Sequence, residues 1–256
     1  MSARLFVLLP PSQGKAAGGR RRVGHSRFDD TLNQERGAVV VALKAFLSDA
    51  TQAELAATFG ARGPLLERTV SAAQVFVEGD APLLPAWRRY QGVVWNYLSP
   101  GTLTPASRRR ILVPSGLYGL VTGEDLVADY RLKMNVSLPG LGVLARYWRP
   151  YVTAALLDAT SRATIVNLLP HEHAASIDWT SVERERRVLS VRFVAADESR
   201  AVGHDAKAIK GELAGAVLRD GLAAFDVERR LGWTIERRGE VVIARAPLTR
   251  EIGVTS

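Results

Sequence analysis

Residues 111–133 (ILVPSGLYGLVTGEDLVADYRLK) concentrate groups able to do chemistry behind a short apolar run. The Ile-Leu-Val triplet at the start predicts a buried strand, and Pro114 and Ser115 are expected to end its hydrogen-bonded ladder. Functional groups often collect where such strands end. The side chains that follow here are Tyr118, Asp125, Asp129, Tyr130, Arg131 and Lys133.

Two glycines give the same stretch unusual backbone freedom. Gly116 and Gly119 bracket Tyr118, so the chain can turn sharply and approach a ligand without a Cβ in the way. Spacing alone leaves a second interpretation open. In that interpretation the leucines are core, Tyr118 is a half-buried aromatic and the charges form a solvated loop.

The 256-residue chain has a formal net charge of +8. A basic field concentrates polyanions, so nucleic acid or a phosphorylated ligand is the expected partner. Arginine supplies most of this charge, and the lysines are Lys15, Lys44, Lys133, Lys207 and Lys210. The pKa of an amine shifts readily on burial. The lysines other than Lys44, which we expect on an ordinary helix surface, are therefore of interest as site residues.

Several functional classes are excluded or disfavoured by composition. The absence of cysteine excludes disulfides, thiolate metal sites and iron–sulfur clusters. No apolar run approaches the ~20 residues that span a bilayer, and the N-terminal apolar run is too short for a good secretory signal. The sequence His171-Glu172-His173 is not followed by a third ligand at metal-binding spacing. We expect a cytoplasmic protein with no metal, no cofactor, no membrane contact and no obligate protein partner.

The first loop offers an anion site. It follows the apolar run of residues 5–9, which predicts the first buried strand. Ser12, Gly14 and Lys15 could present a hydroxyl, free amides and an ammonium to an anion. The flanking residues do not fit the phosphate-binding P-loop pattern, so that motif is excluded.

Residues 51–58 and 64–73 predict two short helices joined by a glycine-containing turn. This is the layout of a helix-hairpin-helix, in which turn amides and the positive end of the second helix contact a DNA phosphate. Gly60, Arg62 and Gly63 would make that contact here. The alternative is a tight helical connection without a role in binding.

Residues 87–97 interleave aromatic side chains with arginines. Such a mixture can stack bases and hold phosphates. The same pattern also fits core aromatics whose neighbouring arginines extend to solvent. Both interpretations stay open at this point.

Five pieces of the chain resemble, in order and spacing, the peroxide stress protein YaaA family, a family of long-unknown function. They are LLPPSQGK, RRYQGVVWNYL, SGLYGLVTGEDLVADYRLKM, IVNLLPHEH and AKAIKG. The resemblance implies a mixed α/β fold particular to that family, a single compact domain over residues 1–256. A central mixed β-sheet would be surrounded by helices, with a helix-hairpin-helix-like element and a basic cleft. It also implies a DNA-binding protein that limits iron-dependent oxidative damage during hydrogen peroxide stress, and it establishes no enzymatic reaction.

Three departures from the family pattern stand out. Gly123 and Glu124 replace an Arg-Pro pair, and Lys210 stands where arginine is frequent. The turn at residues 60–63 resembles the family's helix-hairpin-helix only loosely. The family positions outside the DNA-binding set are Asn167 and Gly211.

The first functional hypothesis is binding of duplex DNA, including DNA with unpaired regions, with the tyrosines able to stack on an unpaired base. Its residues are Ser12, Lys15, Gly60, Arg62, Gly63, Ser115, Gly116, Tyr118, Gly119, Tyr130, Arg131, Lys133, Lys207 and Lys210. The second is an enzyme acting on nucleic acid or a nucleotide in the same cleft. Its catalytic candidates are Lys15, Tyr118 and Lys207. Direct iron sequestration by residues 171–173 is the weakest hypothesis, because no repeated Glu-x-x-His helices accompany them.

Overall fold

The computed structural model describes residues 4–21, 26–196 and 205–247. In these ranges the strands are β1 (Arg4–Leu8), β2 (Leu84–Pro85), β3 (Ile111–Ser115), β4 (Gly119–Thr122), β5 (Leu126–Val127), β6 (Ser137–Leu138), β7 (Gly142–Val143), β8 (Ala163–Asn167), β9 (Arg187–Val194), β10 (Arg229–Arg230), β11 (Trp233–Arg238) and β12 (Val241–Arg245). The α-helices are α1 (Asp29–Asp49), α2 (Gln52–Phe59), α3 (Pro64–Val77), α4 (Ala86–Arg89), α5 (Val93–Leu98), α6 (Pro105–Arg108), α7 (Leu144–Ala159), α8 (His171–Ala174), α9 (Trp179–Glu185) and α10 (Asp205–Asp220). Two 3₁₀ helices cover Pro100–Thr102 and Gly221–Phe225.

Eight strands form one mixed sheet in the order β10-β11-β12-β9-β8-β1-β3-β4. The neighbours from β12 to β3 pair in parallel, and antiparallel pairs close both edges. Strands β1 and β8 read as nearly continuous apolar runs because helices cover both faces of the sheet. Their residues Phe6, Val7, Leu8 and Ile165 are fully buried. The predicted fold class, a central mixed sheet surrounded by helices, is confirmed.

Strand β1 lies where the chain changes direction across the sheet. The chain first builds β3 and β4 on one side of β1 and later places β8, β9 and β12 on the other. At such a switch point the connections diverge, which leaves a crevice outside the carboxyl ends of the strands. The loops that follow β1, β3 and β8 therefore meet at one edge of the sheet.

Strand β3 continues further than its sequence predicts. The expected end of the ladder at Pro114 is wrong, because Pro114 pairs with Leu120 and Ser115 with Gly119 in the hairpin to β4. The pairing of β1 with β3 stops before Pro114. A proline lacks a backbone N–H donor but keeps its carbonyl acceptor. In β3 the missing N–H would face β1, whose pairing with β3 has already stopped, so the ladder with β4 continues.

The two helices predicted around the glycine turn are present as α2 and α3. A capping box between Thr51 and Glu54 begins α2, and Gly60 ends it in the left-handed region at φ 56°. Gly63 also has a positive φ, 52°, directly before Pro64 at the first position of α3. The turn is therefore built from two conformations that favour glycine.

Helix α10 crosses α5 at very close range. A Cβ on Gly211 would overlap the carbonyl oxygen of Val94 and lie 2.9 Å from the amide nitrogen of Leu98. The group that packs closely against Gly211 is therefore helix α5 of the same chain. No helix in the described ranges is both long and apolar enough to cross a membrane.

Candidate functional site

Two adjoining cavities lie at the carboxyl ends of β1 and β3. The larger has a volume of about 190 Å³ between the first loop, helix α3 and residues 129–131. The smaller, about 60 Å³, extends from there towards Lys133 and His173. Because Lys15 and Arg131 line both, we treat the two cavities as one site, the basic cleft.

Lys15 occupies the centre of the basic cleft. Its Nζ donates to the backbone carbonyl oxygen of Ser12 at 2.7 Å. The same atom lies 4.1 Å from the ring centroid of Tyr130 and 5.6 Å from that of Tyr90. The hydroxyl of Ser12 donates to the carbonyl oxygen of Gln91, so it holds the first loop in place.

The pKa of the Lys15 amine lies well below that of an ordinary lysine. Burial lowers its pKa from 10.5 to about 7, with the charges of Arg131 and Arg89 acting in the same direction. Asp129 opposes them, but its carboxylate is paired with Arg68 at 2.9 Å. A neutral amine can act as a nucleophile or as a base.

A chain of buried hydroxyls lies beneath Lys15. The hydroxyls of Tyr90 and Tyr130 are 2.8 Å apart, and Ser115 Oγ donates to the Tyr130 hydroxyl at 2.8 Å. Ser115 Oγ also accepts the amides of Leu117 and Tyr118 at 3.3 and 3.2 Å. Ser115 is fully buried, so it supports the turn after β3 and does not reach the opening of the cleft.

Tyr118 faces away from the basic cleft. Its hydroxyl accepts the amide of Ala128 at 2.9 Å, and its ring meets those of Tyr130 and Phe76 edge to face at 5.5 and 5.8 Å. It lines a separate cavity of about 410 Å³ beside Arg36. Tyr130 is 6% exposed and carries Lys15 on its ring face. The Tyr130 ring is therefore largely covered, and the Tyr118 ring is open only to the separate cavity.

The glycines of the central turn make room for the protein itself. A Cβ on Gly116 would lie 2.7 Å from the carbonyl oxygen of Leu132. On Gly119, where φ is 71°, it would lie 2.6 Å from the Trp148 ring. The Leu132 carbonyl and the Trp148 ring therefore occupy the spaces beside these glycines where the sequence predicted a ligand.

Arg131 joins the α2–α3 turn to the cleft. Its guanidinium donates to the carbonyl oxygens of Phe59 at 2.7 Å and Gly60 at 3.2 Å, and to the Gln13 side chain at 3.1 Å. Lys133 Nζ lies 3.3 Å from where a Cβ of Gly60 would stand. The turn therefore forms one rim of the basic cleft.

The other turn residues of the predicted set lie further out. Arg62 and Gly63 are exposed on the same turn. They therefore lie on the solvent side of the hydrogen bonds that Arg131 makes with the turn.

Helix α10 carries the last two predicted cations. Lys210 is half-buried with Nζ 5.2 Å from the Phe193 ring centroid, and burial lowers its pKa to about 8, with Lys207 acting in the same direction. Lys207 is exposed. Burial and the charge of Lys210 lower the pKa of His173 to about 4. Positive charge thus continues from the smaller cavity to α10.

The histidines of the His-Glu-His segment lie on helix α8. The imidazole Nδ1 of His173 is buried and has no hydrogen-bond partner among the described residues. Within those residues, no group of three or more His, Cys, Asp or Glu side chains is arranged to hold a metal ion.

Arg89 was expected, with the other arginine of residues 87–97, either to hold a phosphate or to extend to solvent, yet it holds the first loop in place. Its guanidinium is fully buried and donates to the carbonyl oxygens of Val127 at 3.2 Å, Gly18 at 3.0 Å, Pro82 at 2.8 Å and also Ala16. In this segment the aromatic core interpretation holds for Trp95, which is 2% exposed. Arg89 itself does not extend to solvent.

Arg68 is a residue that sequence patterns missed. It lines the larger cavity through its ion pair with Asp129. The two residues are 61 positions apart, and no local spacing signals such a pair. Gln13 and Gln91, which line the same cavity, also carry no sequence signal of their own.

Comparison with known proteins shows the family of this chain. A family model described as "Peroxide stress protein YaaA" matches residues 5–230. A UPF0246 protein of Streptomyces coelicolor is 32% identical over 249 residues, which cover 91% of this chain and 92% of that relative. A UPF0246 protein of Corynebacterium efficiens is 28% identical over 246 residues, covering 91% and 95% respectively. Because that family model matches residues 5–230 and a relative 32% identical covers nearly the whole length, the chain belongs to the peroxide stress protein YaaA family.

Proposed function

We propose that this protein binds DNA through the basic cleft and limits iron-dependent oxidative damage to that DNA during peroxide stress. Family membership supports the role in the peroxide stress response. The DNA partner rests on one observation, the convergence of Lys15, Arg131 and Lys133 beside the α2–α3 turn. The net charge of +8 adds a long-range attraction for a polyanion.

The dimensions of the cleft favour contact with one strand of the DNA backbone. Cavities of about 190 and 60 Å³ accommodate a sugar and a phosphate, but not a duplex. The exposed turn at Arg62 and the N-terminus of the 14-residue helix α3 would meet an adjacent phosphate. Lys207 and Lys210 would extend the row of positively charged side chains beyond Lys133. Because the Tyr130 ring is buried and Tyr118 faces a separate cavity, this mode of binding uses phosphates without base stacking in the basic cleft.

Salt dependence tests the DNA contact. We expect the affinity for duplex DNA to fall by about a hundredfold between about 50 and 200 mM salt, as for roughly four phosphate contacts. Replacing Lys133 with alanine is expected to reduce the salt slope by about one contact. Fluorescence anisotropy with matched duplex, bubbled and single-stranded DNA measures both. Lys44→Ala, an exposed lysine on α1, is the control. Binding that ignores salt, or equal effects of the two variants, would contradict the proposal.

A second function, an enzyme acting on nucleic acid or a nucleotide, is favoured by the state of Lys15. Phosphate binding alone needs a charged ammonium, which an exposed lysine keeps at neutral pH. Burial instead lowers the pKa of Lys15 to about 7. A cleft that lowers the pKa of an amine in this way is better suited to nucleophilic or base chemistry than to simple charge attraction.

Protection of cells separates the two functions. In a strain that lacks the protein, the wild type is expected to restore survival after peroxide, and an iron chelator is expected to remove the difference. If DNA binding is the whole function, Lys15→Ala should lower DNA affinity modestly and lower protection in proportion. If Lys15 is a catalytic residue, the variant should lose protection at nearly unchanged affinity. Full protection by Lys15→Ala would refute the enzyme, and survival unaffected by the chelator would refute the iron dependence.

A further inference from the structure

We propose that the amine of Lys15 forms an imine with the aldehyde group of a phosphorylated ligand bound in the basic cleft. The proposal rests on the second function above and gives it a reaction and a substrate class. Two observations carry it, namely the position of the amine between two open cavities and the cations around those cavities.

The surroundings of Lys15 leave its nitrogen available for attack. Among the described residues Lys15 forms no ion pair, because the carboxylate of Asp129 is held by Arg68 at 2.9 Å. Its one hydrogen-bond partner in those residues is the carbonyl oxygen of Ser12, which can accept from an ammonium or from a neutral amine. The Tyr130 ring lies 4.1 Å below the nitrogen and closes that side to solvent. A ligand therefore meets the amine from the open cavities.

The charges around the cleft select an anionic aldehyde. Lys133 lines the smaller cavity together with Arg131 and Lys15, and an ammonium at this position suits a phosphate. Burial lowers the pKa of Lys15 to about 7, and the charge of Arg131 acts in the same direction. Arg131 thus lines the cleft that would hold the phosphate and also favours the neutral, nucleophilic form of the amine. Two sources share this chemistry, the sugar aldehyde at an abasic site in DNA and a free sugar phosphate.

The reaction is balanced without another reagent. The nitrogen lone pair of Lys15 attacks the aldehyde carbon, and one amine proton passes to the carbonyl oxygen to give a carbinolamine. The carbon–oxygen bond then breaks, the hydroxyl leaves with the second amine proton as water, and a carbon–nitrogen double bond remains. Nothing is oxidised or reduced in this step.

Reductive trapping tests the imine. The full-length protein is incubated with glyceraldehyde 3-phosphate or with a duplex containing one abasic site, and cyanoborohydride converts any imine to a stable amine. We expect peptide mass spectrometry to find the adduct at Lys15, formed at least about tenfold faster than at Lys44 near pH 7, because an ordinary lysine is almost fully protonated there. The rate should rise with pH to a midpoint near the Lys15 pKa of about 7. A midpoint near that of Lys44 would overturn the proposal.

Lys15→Arg serves as the matched variant. It keeps a positive charge and lacks a nucleophilic amine, so we expect the adduct to disappear while the thermal unfolding midpoint stays near the wild type. A persistent adduct in this variant, or no adduct with either probe in the wild type, would refute the imine. An adduct with abasic DNA alone identifies DNA as the source, and one with the sugar phosphate alone identifies a free metabolite.

The two proposals fail independently. Intact duplex carries no aldehyde, so salt-dependent binding to it tests the DNA contact without the imine. Glyceraldehyde 3-phosphate needs no DNA site, so its adduct tests the imine without the DNA contact.

Discussion

Replacing Gly211 with alanine is expected to lower the free energy of unfolding by about 2–4 kcal/mol. The same substitution inside an exposed helix ordinarily raises it by about 1 kcal/mol. At Gly211 the added Cβ would overlap the carbonyl oxygen of Val94 and lie 2.9 Å from both the Leu98 amide nitrogen and the Tyr97 Cβ. Backbone atoms cannot rotate out of the way, so α10 and α5 must separate. Urea denaturation followed by circular dichroism measures the change.

Gly37 provides the matched control for Gly211. It lies inside helix α1, and a Cβ built on it meets no other atom within 4 Å. Gly37→Ala is therefore expected to stabilise the protein by about 0.5–1 kcal/mol. Two substitutions of the same chemistry thus have opposite expected signs. A stabilising Gly211→Ala would show that the contact between α10 and α5 is not the one described.

Replacing Arg89 with methionine is expected to lower the free energy of unfolding by about 3–5 kcal/mol. The fully buried guanidinium donates to four backbone carbonyls, including those of Gly18 and Pro82 at 3.0 and 2.8 Å. Methionine fills much of the volume but leaves these acceptors without a donor. Urea denaturation measures the loss. Hydrogen exchange is expected to become faster at the amide of Ala16, which pairs with the Arg89 carbonyl oxygen at 2.8 Å.

The neighbouring arginine is the control for Arg89. Arg88 is exposed and lies over the face of Trp87, with its Cζ 5.8 Å from the ring centroid. Arg88→Met is expected to change the free energy of unfolding by less than about 0.5 kcal/mol. Equal effects of the two substitutions would mean that the buried hydrogen bonds of Arg89 contribute little to stability.

Local sequence patterns correctly predicted several of the elements. The strand from residue 5 and the paired helices before residue 78 both follow from apolar periodicity and glycine positions. Apolar runs predict buried strands because burial of their side chains depends on the residues themselves. The end predicted for β3 at Pro114 was wrong. A proline ends a ladder only if the strand on its N–H side still needs that donor, and the local sequence does not show which strand lies there.

The site was only partly predictable, because the position of a side chain also depends on neighbours that the local sequence does not show. Lys15, Arg131 and Lys133 were named from their types, and the structure brings them together in one cleft. Tyr118 was named with them, yet its ring packs edge to face against Tyr130 and lines another cavity.

The sequence by itself determined the mixed α/β class, the order of the elements, the basic character and the family of this protein. Each of these properties resides in residue types and short-range spacing. The tertiary structure alone decided that Arg89 is buried, that Gly211 accommodates α5, and that burial lowers the pKa of the Lys15 amine. The physical reason is that burial and desolvation arise from groups distant in the chain, whose positions no local pattern contains.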